Sequence, residues 1–85
     1  MYYVYILLCK NGSLYTGYTN NVNRRLDEHN RGTASKYTRC RLPVSLSYLE
    51  KIDDRSIAMK REIIIKRLPR SKKIELCNSY LKEKK

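Results

Sequence analysis

Five side chains of this 85-residue chain have types that together could hydrolyse a phosphodiester: the phenols of Tyr5 and Tyr15, the guanidinium of Arg25, the imidazole of His29 and the carboxylate of Glu62. The stretch YVYILLCKNGSLYTG, residues 3–17, sets the two phenols in apolar runs, in a chain with eight Tyr, no Phe and no Trp. A buried tyrosine has to satisfy its hydroxyl, so these hydroxyls have either hydrogen-bond partners or a task. Mg²⁺ is commonly held by only one or two protein carboxylates, with water and substrate phosphate completing its octahedron. One Glu is therefore enough, and an Arg would add fixed positive charge at the scissile phosphate. The base that takes a proton from the attacking water could be His29. It could also be a tyrosine whose phenol, ordinarily at about pKa 10, is pulled down by adjacent cations.

These groups need elements to hold them. Residues 2–9 form an unbroken apolar or aromatic run, too short for a helix and rich in β-formers. Asn11-Gly12 signals a hairpin turn, and residues 13–18 return as a second strand. Continuous apolarity makes the first strand the central one, covered on both faces. Asn20 or Asn21 can cap a helix running through Arg31, with Gly32 just past its end. On that helix, taking Val22 as zero, Leu26 falls at about 40°, His29 at about 340° and Arg25 at about 300°. Arg25 and His29 thus flank the apolar stripe, one turn apart; the plainer alternative is a snorkelling arginine and a boundary histidine.

Residues 33–42 read as a polar, basic loop, and Pro43 precedes a third strand in which Val44, Leu46 and Tyr48 alternate with Ser45, Ser47 and Leu49. Asp53 or Asp54 caps a second helix that stops near Pro69. Its apolar stripe is read along Ile57, Ile64 and Leu68, with Glu62 at the stripe's edge, about 140° from Ile57. An intrahelical ion pair is the plainer role for that carboxylate among Lys60, Arg61, Lys66 and Arg67. Ser71 can cap a third helix through Leu81, after which LKEKK frays. The expected fold is α+β: one domain over residues 1–85, ordered ββαβαα, with a small three-stranded antiparallel sheet of strand order 2-1-3 and flanking helices.

The formal charge of +11 is unevenly placed. Residues 22–42 hold six Lys/Arg against two acids and residues 60–85 hold ten against three, while the remaining positions cancel. Such a field on a small body points to a polyanionic partner, nucleic acid first. No run approaches the roughly 18 apolar residues of a membrane span, and no signal peptide is evident. Cys9, Cys40 and Cys77 are odd in number and lack metal-ligand spacing. They read as reduced thiols, which points to the cytoplasm.

The motifs resemble those of the GIY-YIG nucleases, in particular the small stand-alone YhbQ/YazA-like proteins and the N-terminal domain of the excinuclease C subunit. Tyr3-Val4-Tyr5 stands where that family has GIY, and Tyr15-Thr16-Gly17 where it has YIG. Arg25 and His29 reproduce its R-x-x-x-H helix, and Glu62 matches its metal-binding Glu. The resemblance implies Tyr5 as general base with a lowered phenol pKa, and Tyr15 as positioner of water or phosphate. It implies Arg25 on the scissile phosphate, His29 orienting a tyrosine or the phosphate, and Glu62 holding one Mg²⁺ or Mn²⁺. Gly17 would let groups approach closely, and Asn78 aligns loosely with a further polar residue of some members. Tyr3 and Thr16 depart from the family's Gly and Ile.

Lys36, Tyr37, Thr38, Arg39 and Arg41 could form a phosphate track with one aromatic for stacking, extended by Arg67, Arg70, Lys72 and Lys73. Nothing resembles a base-reading motif, so specificity should be for structure or weak. The reading implied is a Mg/Mn-dependent endonuclease, a hydrolase acting on DNA ester bonds in repair or recombination. RNA remains open as a substrate, as does a homodimer or a repair-protein partner, and cutting of two strands would need dimerisation or two visits. Its alternatives are a non-catalytic nucleic-acid-binding module, or an adaptor of a repair complex presenting an apolar patch around Ile63 and Tyr80.

Overall fold

In the computed structural model, which describes residues 1–83, the chain forms β1 (Tyr2–Cys9), β2 (Leu14–Thr19), α1 (Val22–Asn30), α2 (Lys36–Arg39), β3 (Val44–Ile52), α3 (Arg55–Lys66) and α4 (Arg70–Glu83). β1 is buried on both faces because it is the middle strand of the antiparallel sheet β2-β1-β3. Val4 and Ile6 point to one layer, where Ala58 and Ile65 of α3 and Cys77 of α4 pack. Tyr5, Leu7 and Cys9 point to the other, where they meet Leu26 of α1 together with Val44, Leu46 and Leu49 of β3. The expected sheet, its order and its helical layers are all present.

The hairpin turns where Gly12 adopts a positive φ of 87°, a conformation glycine enters without a Cβ clash. Asn21 caps α1 by accepting from the Arg24 N–H, and Gly32, at φ 79°, ends the segment as expected. Asp54 caps α3 through the N–H groups of Ser56 and Ile57.

Several expectations are corrected. The basic segment after α1 is not all loop: Ser35 accepts from the N–H groups of Tyr37 and Thr38 and starts the single turn α2. β3 does not alternate cleanly, because the register with β1 shifts between Ile6↔Tyr48 and Leu7↔Leu46. Ser47 is the extra, buried residue of that bulge. Tyr48 is thereby turned toward α3 and α4 while Leu46 and Leu49 share the opposite face.

The stripe of α3 is rotated from the one read along its isoleucines. Ala58 and Ile65 are fully buried, whereas Ile57 and Ile64 are 55% and 52% exposed. A helix can lie close to a sheet only where its side chain is small, and Ala58 supplies that contact. α4 starts at Arg70, directly after Pro69, so Ser71 is inside the helix rather than its cap. The helix runs through Glu83, past the point where fraying was expected; Lys84 and Lys85 lie outside the described residues. Tyr80 does not join Ile63 in an outer patch, since its ring meets Tyr48 at 6.0 Å.

Candidate active site

Tyr5 pairs with Gly17 across β1 and β2, and its phenol lies over that glycine. A Cβ at residue 17 would come within 2.6 Å of the Tyr5 hydroxyl, so only glycine leaves the ring its place. From this position the Tyr5 hydroxyl reaches Nε2 of His29 at 3.0 Å. His29 is the one fully buried residue of α1, carried inward by the stripe it shares with Leu26. Its other ring nitrogen, Nδ1, lies 2.9 Å from Oγ1 of Thr38, which is also fully buried.

The contacts of Thr38 are compatible with one tautomer in particular. Its hydroxyl donates to the Ser35 carbonyl at 3.4 Å, leaving the oxygen to accept from Nδ1–H of His29. Nε2 then carries no proton in the neutral ring and accepts from the Tyr5 hydroxyl. Burial, followed by the charge of Arg25, pushes His29 below its usual pKa, against a smaller opposing effect of Glu28. The ring is therefore neutral at pH 7.

Tyr5 corrects an expectation. Burial outweighs the neighbouring cation and its phenol is pushed up to about 12, although a hydrogen bond from Arg25 acts in the lowering direction. Tyr5 therefore rests as a neutral phenol at pH 7. Arg25 lies at the site's rim, close enough to act on the Tyr5 phenol, and pairs with the Glu28 carboxylate at 3.2 Å. Tyr15 packs its ring 6.4 Å from Tyr5 and 5.0 Å from His29.

Glu62 comes from the opposite helical layer, yet its charge acts on the Tyr5 phenol. The rotation of α3 explains this: with Ala58 and Ile65 against the sheet, Glu62 is turned about 40–60° from the buried face. Its side chain is only 17% exposed and its carboxylate is 3.8 Å from Lys66. A single carboxylate is compatible with one hard divalent ion, because Mg²⁺ needs few protein carboxylates and takes its remaining oxygens from water and phosphate.

The expected DNA contacts separate. Tyr37 stacks toward Tyr15 at 5.9 Å, and the Arg41 guanidinium sits 4.0 Å over the Tyr37 ring, so this part of the basic segment abuts the site. Lys36 and Arg39 are exposed on the same turn. Thr38 is not a surface contact at all, being fully buried against His29. Arg67, Arg70, Lys72 and Lys73 lie at the α3–α4 junction, in the other layer, with Arg70 donating to the Gly12 carbonyl at 2.8 Å and Lys72 paired with Glu75 at 3.3 Å. Arg70 and the α2 segment meet the same hairpin tip, since the Lys10 N–H donates to the Arg41 carbonyl at 3.0 Å two residues from Gly12. Asn78 lines a groove with Leu8, Leu14 and Ser47 on the α4 side, away from Tyr5 and His29. Sequence reasoning missed the second role of Thr38, since nothing in helical periodicity links residue 38 to residue 29.

A three-stranded sheet whose paired Tyr5 and Gly17 meet an Arg–His helix defines the GIY-YIG class of domain. The family model for the GIY-YIG catalytic domain matches residues 1–75, and the chain belongs to that family, among its UPF0213 proteins. It is 51% identical to the UPF0213 protein of Clostridium perfringens over 79 residues, covering 93% of this chain and 85% of the relative. The solution NMR structure of the UPF0213 protein from Bacillus halodurans matches with a TM-score of 0.59 at 46% identity, covering 92% of this chain and 84% of that one. A second NMR structure, of a protein from E. faecalis, gives 0.62 at 44% identity, covering 93% and 84%.

Proposed function

We propose that the protein is a metal-dependent endonuclease that hydrolyses DNA phosphodiester bonds, directed by DNA structure and working in repair or recombination. Within its family it fits the small YhbQ/YazA-like branch. One observation carries the reading: the Tyr5 hydroxyl is held 3.0 Å from an imidazole nitrogen that a buried threonine keeps free to accept. A buried phenol needs a hydrogen-bond partner in any case; what favours chemistry is that this partner is a group able to take the proton.

In the proposed reaction the scissile phosphate sits against the Arg25 guanidinium. The attacking water gives its proton to Tyr5 Oη as the phenol's proton passes to Nε2 of His29. The water oxygen forms the new P–O bond, and the leaving oxygen departs with the electron pair of the old one. Glu62 would hold the Mg²⁺ or Mn²⁺, which supplies charge stabilisation at the phosphate when bound. Tyr15 and Gly17 keep Tyr5 in place, and Tyr37 and Arg41 carry the strand toward the site.

A second reading, a nucleic-acid-binding module or adaptor without catalysis, is favoured by a different observation. Among the described residues no group of three or more His, Cys, Asp or Glu gathers to hold a metal. The outer face of α3, with Ile57, Ile63 and Ile64 exposed, would serve an adaptor. The test is cleavage of end-labelled duplex, single-stranded, flap and four-way-junction DNA with Mg²⁺ or Mn²⁺, wild type beside Glu62→Gln. Cutting by wild type that Glu62→Gln loses supports the nuclease. Cutting that survives in Glu62→Gln overturns the metal assignment. Tight, salt-sensitive binding without cutting decides for the binding module.

A further inference from the structure

Beside the site, and sharing Arg25 with it, lies an open recess of about 460 Å³ lined by Tyr18, Asn20, Arg24, Arg25, Glu28 and Arg55. Two elements bring its charges together: Arg24, Arg25 and Glu28 from α1, and Arg55 from the first turn of α3. Glu28 is already committed to Arg25 at 3.2 Å. Arg24 donates to the neutral amide oxygen of Asn20 at 3.2 Å, which orients its guanidinium without neutralising it. Arg55 has no ion-pair or side-chain hydrogen-bond partner among the described residues. Three guanidinium groups thus converge on one recess against a single, occupied carboxylate. Guanidinium forks match phosphate oxygens in geometry as well as charge.

The position of the recess fixes what it can take. Arg55 and Glu62 are seven residues apart on α3, which puts them about 20° apart in phase and about 10 Å apart along the axis. The rise along the duplex axis is about 3.4 Å per nucleotide, but successive phosphates of one strand follow a longer helical path, so a separation of this size spans only about one or two nucleotides. We infer that this recess is a second phosphate site, which grips a phosphodiester of the same DNA strand about one or two nucleotides from the scissile one. The inference rests on the nuclease reading for the neighbouring site and gives that reading a register along the strand. Arg24 and Arg55 are then substrate-positioning residues: they hold the strand and touch no reacting atom.

The experiment is equilibrium binding of a short labelled DNA duplex in EDTA, so that nothing is cut, as a function of KCl concentration. Wild type is compared with Arg24→Ala/Arg55→Ala and with Lys60→Ala/Lys82→Ala, which removes the same charge from exposed positions elsewhere. Loss of one phosphate contact lowers the slope of log K against log salt by about one. That change is expected for the arginine pair and not for the lysine pair. Equal slopes in all three proteins, or equal losses in both variants, overturn the second site. Arg55→Glu provides an independent reading, expected to weaken binding further than Arg55→Ala; equal binding by the two also overturns it. With metal restored, the arginine pair is expected to raise KM with kcat unchanged. A slope change without cutting by either protein overturns the nuclease reading and leaves the phosphate site standing.

Discussion

The phenol of Tyr5 occupies the volume that a side chain at Gly17 would fill, with its hydroxyl 2.6 Å from the Cβ position. The two residues are strand partners, so neither can move far without breaking the pairing of β1 and β2. Gly17→Ala is therefore expected to swing the Tyr5 ring off His29. Cleavage should fall at least about tenfold, the cost of losing an aligned proton acceptor, while DNA affinity in EDTA stays at the wild-type value. Single-turnover rates and binding on the same preparation check both.

Thr38→Val keeps the volume of a fully buried residue but removes the acceptor for Nδ1–H of His29. A buried donor left unsatisfied costs about 1–3 kcal/mol, so urea unfolding should show a loss of that size. The imidazole is also freed to exchange tautomers, which ¹⁵N chemical shifts report directly. Thr38→Ser is expected to restore both stability and the Nδ1–H form.

His29 sets the pH dependence. Its pKa is lowered by burial and by Arg25, and the relay needs it neutral. The rate is expected to rise with pH through a titration below the usual imidazole value of about 6.5, then to stay level through pH 9. Tyr5, at about 12, adds no limb in that range. Stability follows the same sign: a depressed folded pKa gives a contribution that is full above the unfolded value and is lost as pH falls through the folded one. A pH series of denaturant melts on wild type and His29→Gln separates this contribution.

Thr16 is buried, and its hydroxyl is without a hydrogen-bond partner among the described residues. It stands where the family motif has isoleucine, and its side chain points to the α3 layer, away from Tyr5. Thr16→Val is expected to leave cleavage unchanged and to stabilise the fold by on the order of 1 kcal/mol, because an unsatisfied buried hydroxyl is removed at constant shape. Thermal and urea melts measure it.

The parts of this protein that follow from local chemistry were legible in its sequence. Asn11-Gly12 announces the hairpin, the apolar run of residues 2–9 announces a central strand, and Asn21 with Gly32 brackets α1. His29 and Arg25 could be placed beside the buried stripe by angle alone. What depends on packing was not legible. The isoleucines of α3 outweigh Ala58 in any hydrophobicity count, yet Ala58 faces the sheet because the helix comes close there. A one-residue bulge at Ser47 reverses the faces of half of β3. Cations near a phenol suggested a lowered pKa for Tyr5, but burial, which no sequence pattern measures, decides the direction. Arg24 and Arg55 are thirty-one positions apart and meet only because α1 and α3 border the same edge.

The most direct test of the central claim is single-turnover cleavage of an end-labelled duplex or junction by wild type and Tyr5→Phe, with binding measured in parallel. Removing one hydroxyl leaves the ring over Gly17 and the buried surface in place. The account predicts a fall of at least about a hundredfold in rate with unchanged affinity. Equal rates for the two proteins would contradict it, because the oxygen held 3.0 Å from His29 would then have no part in the reaction.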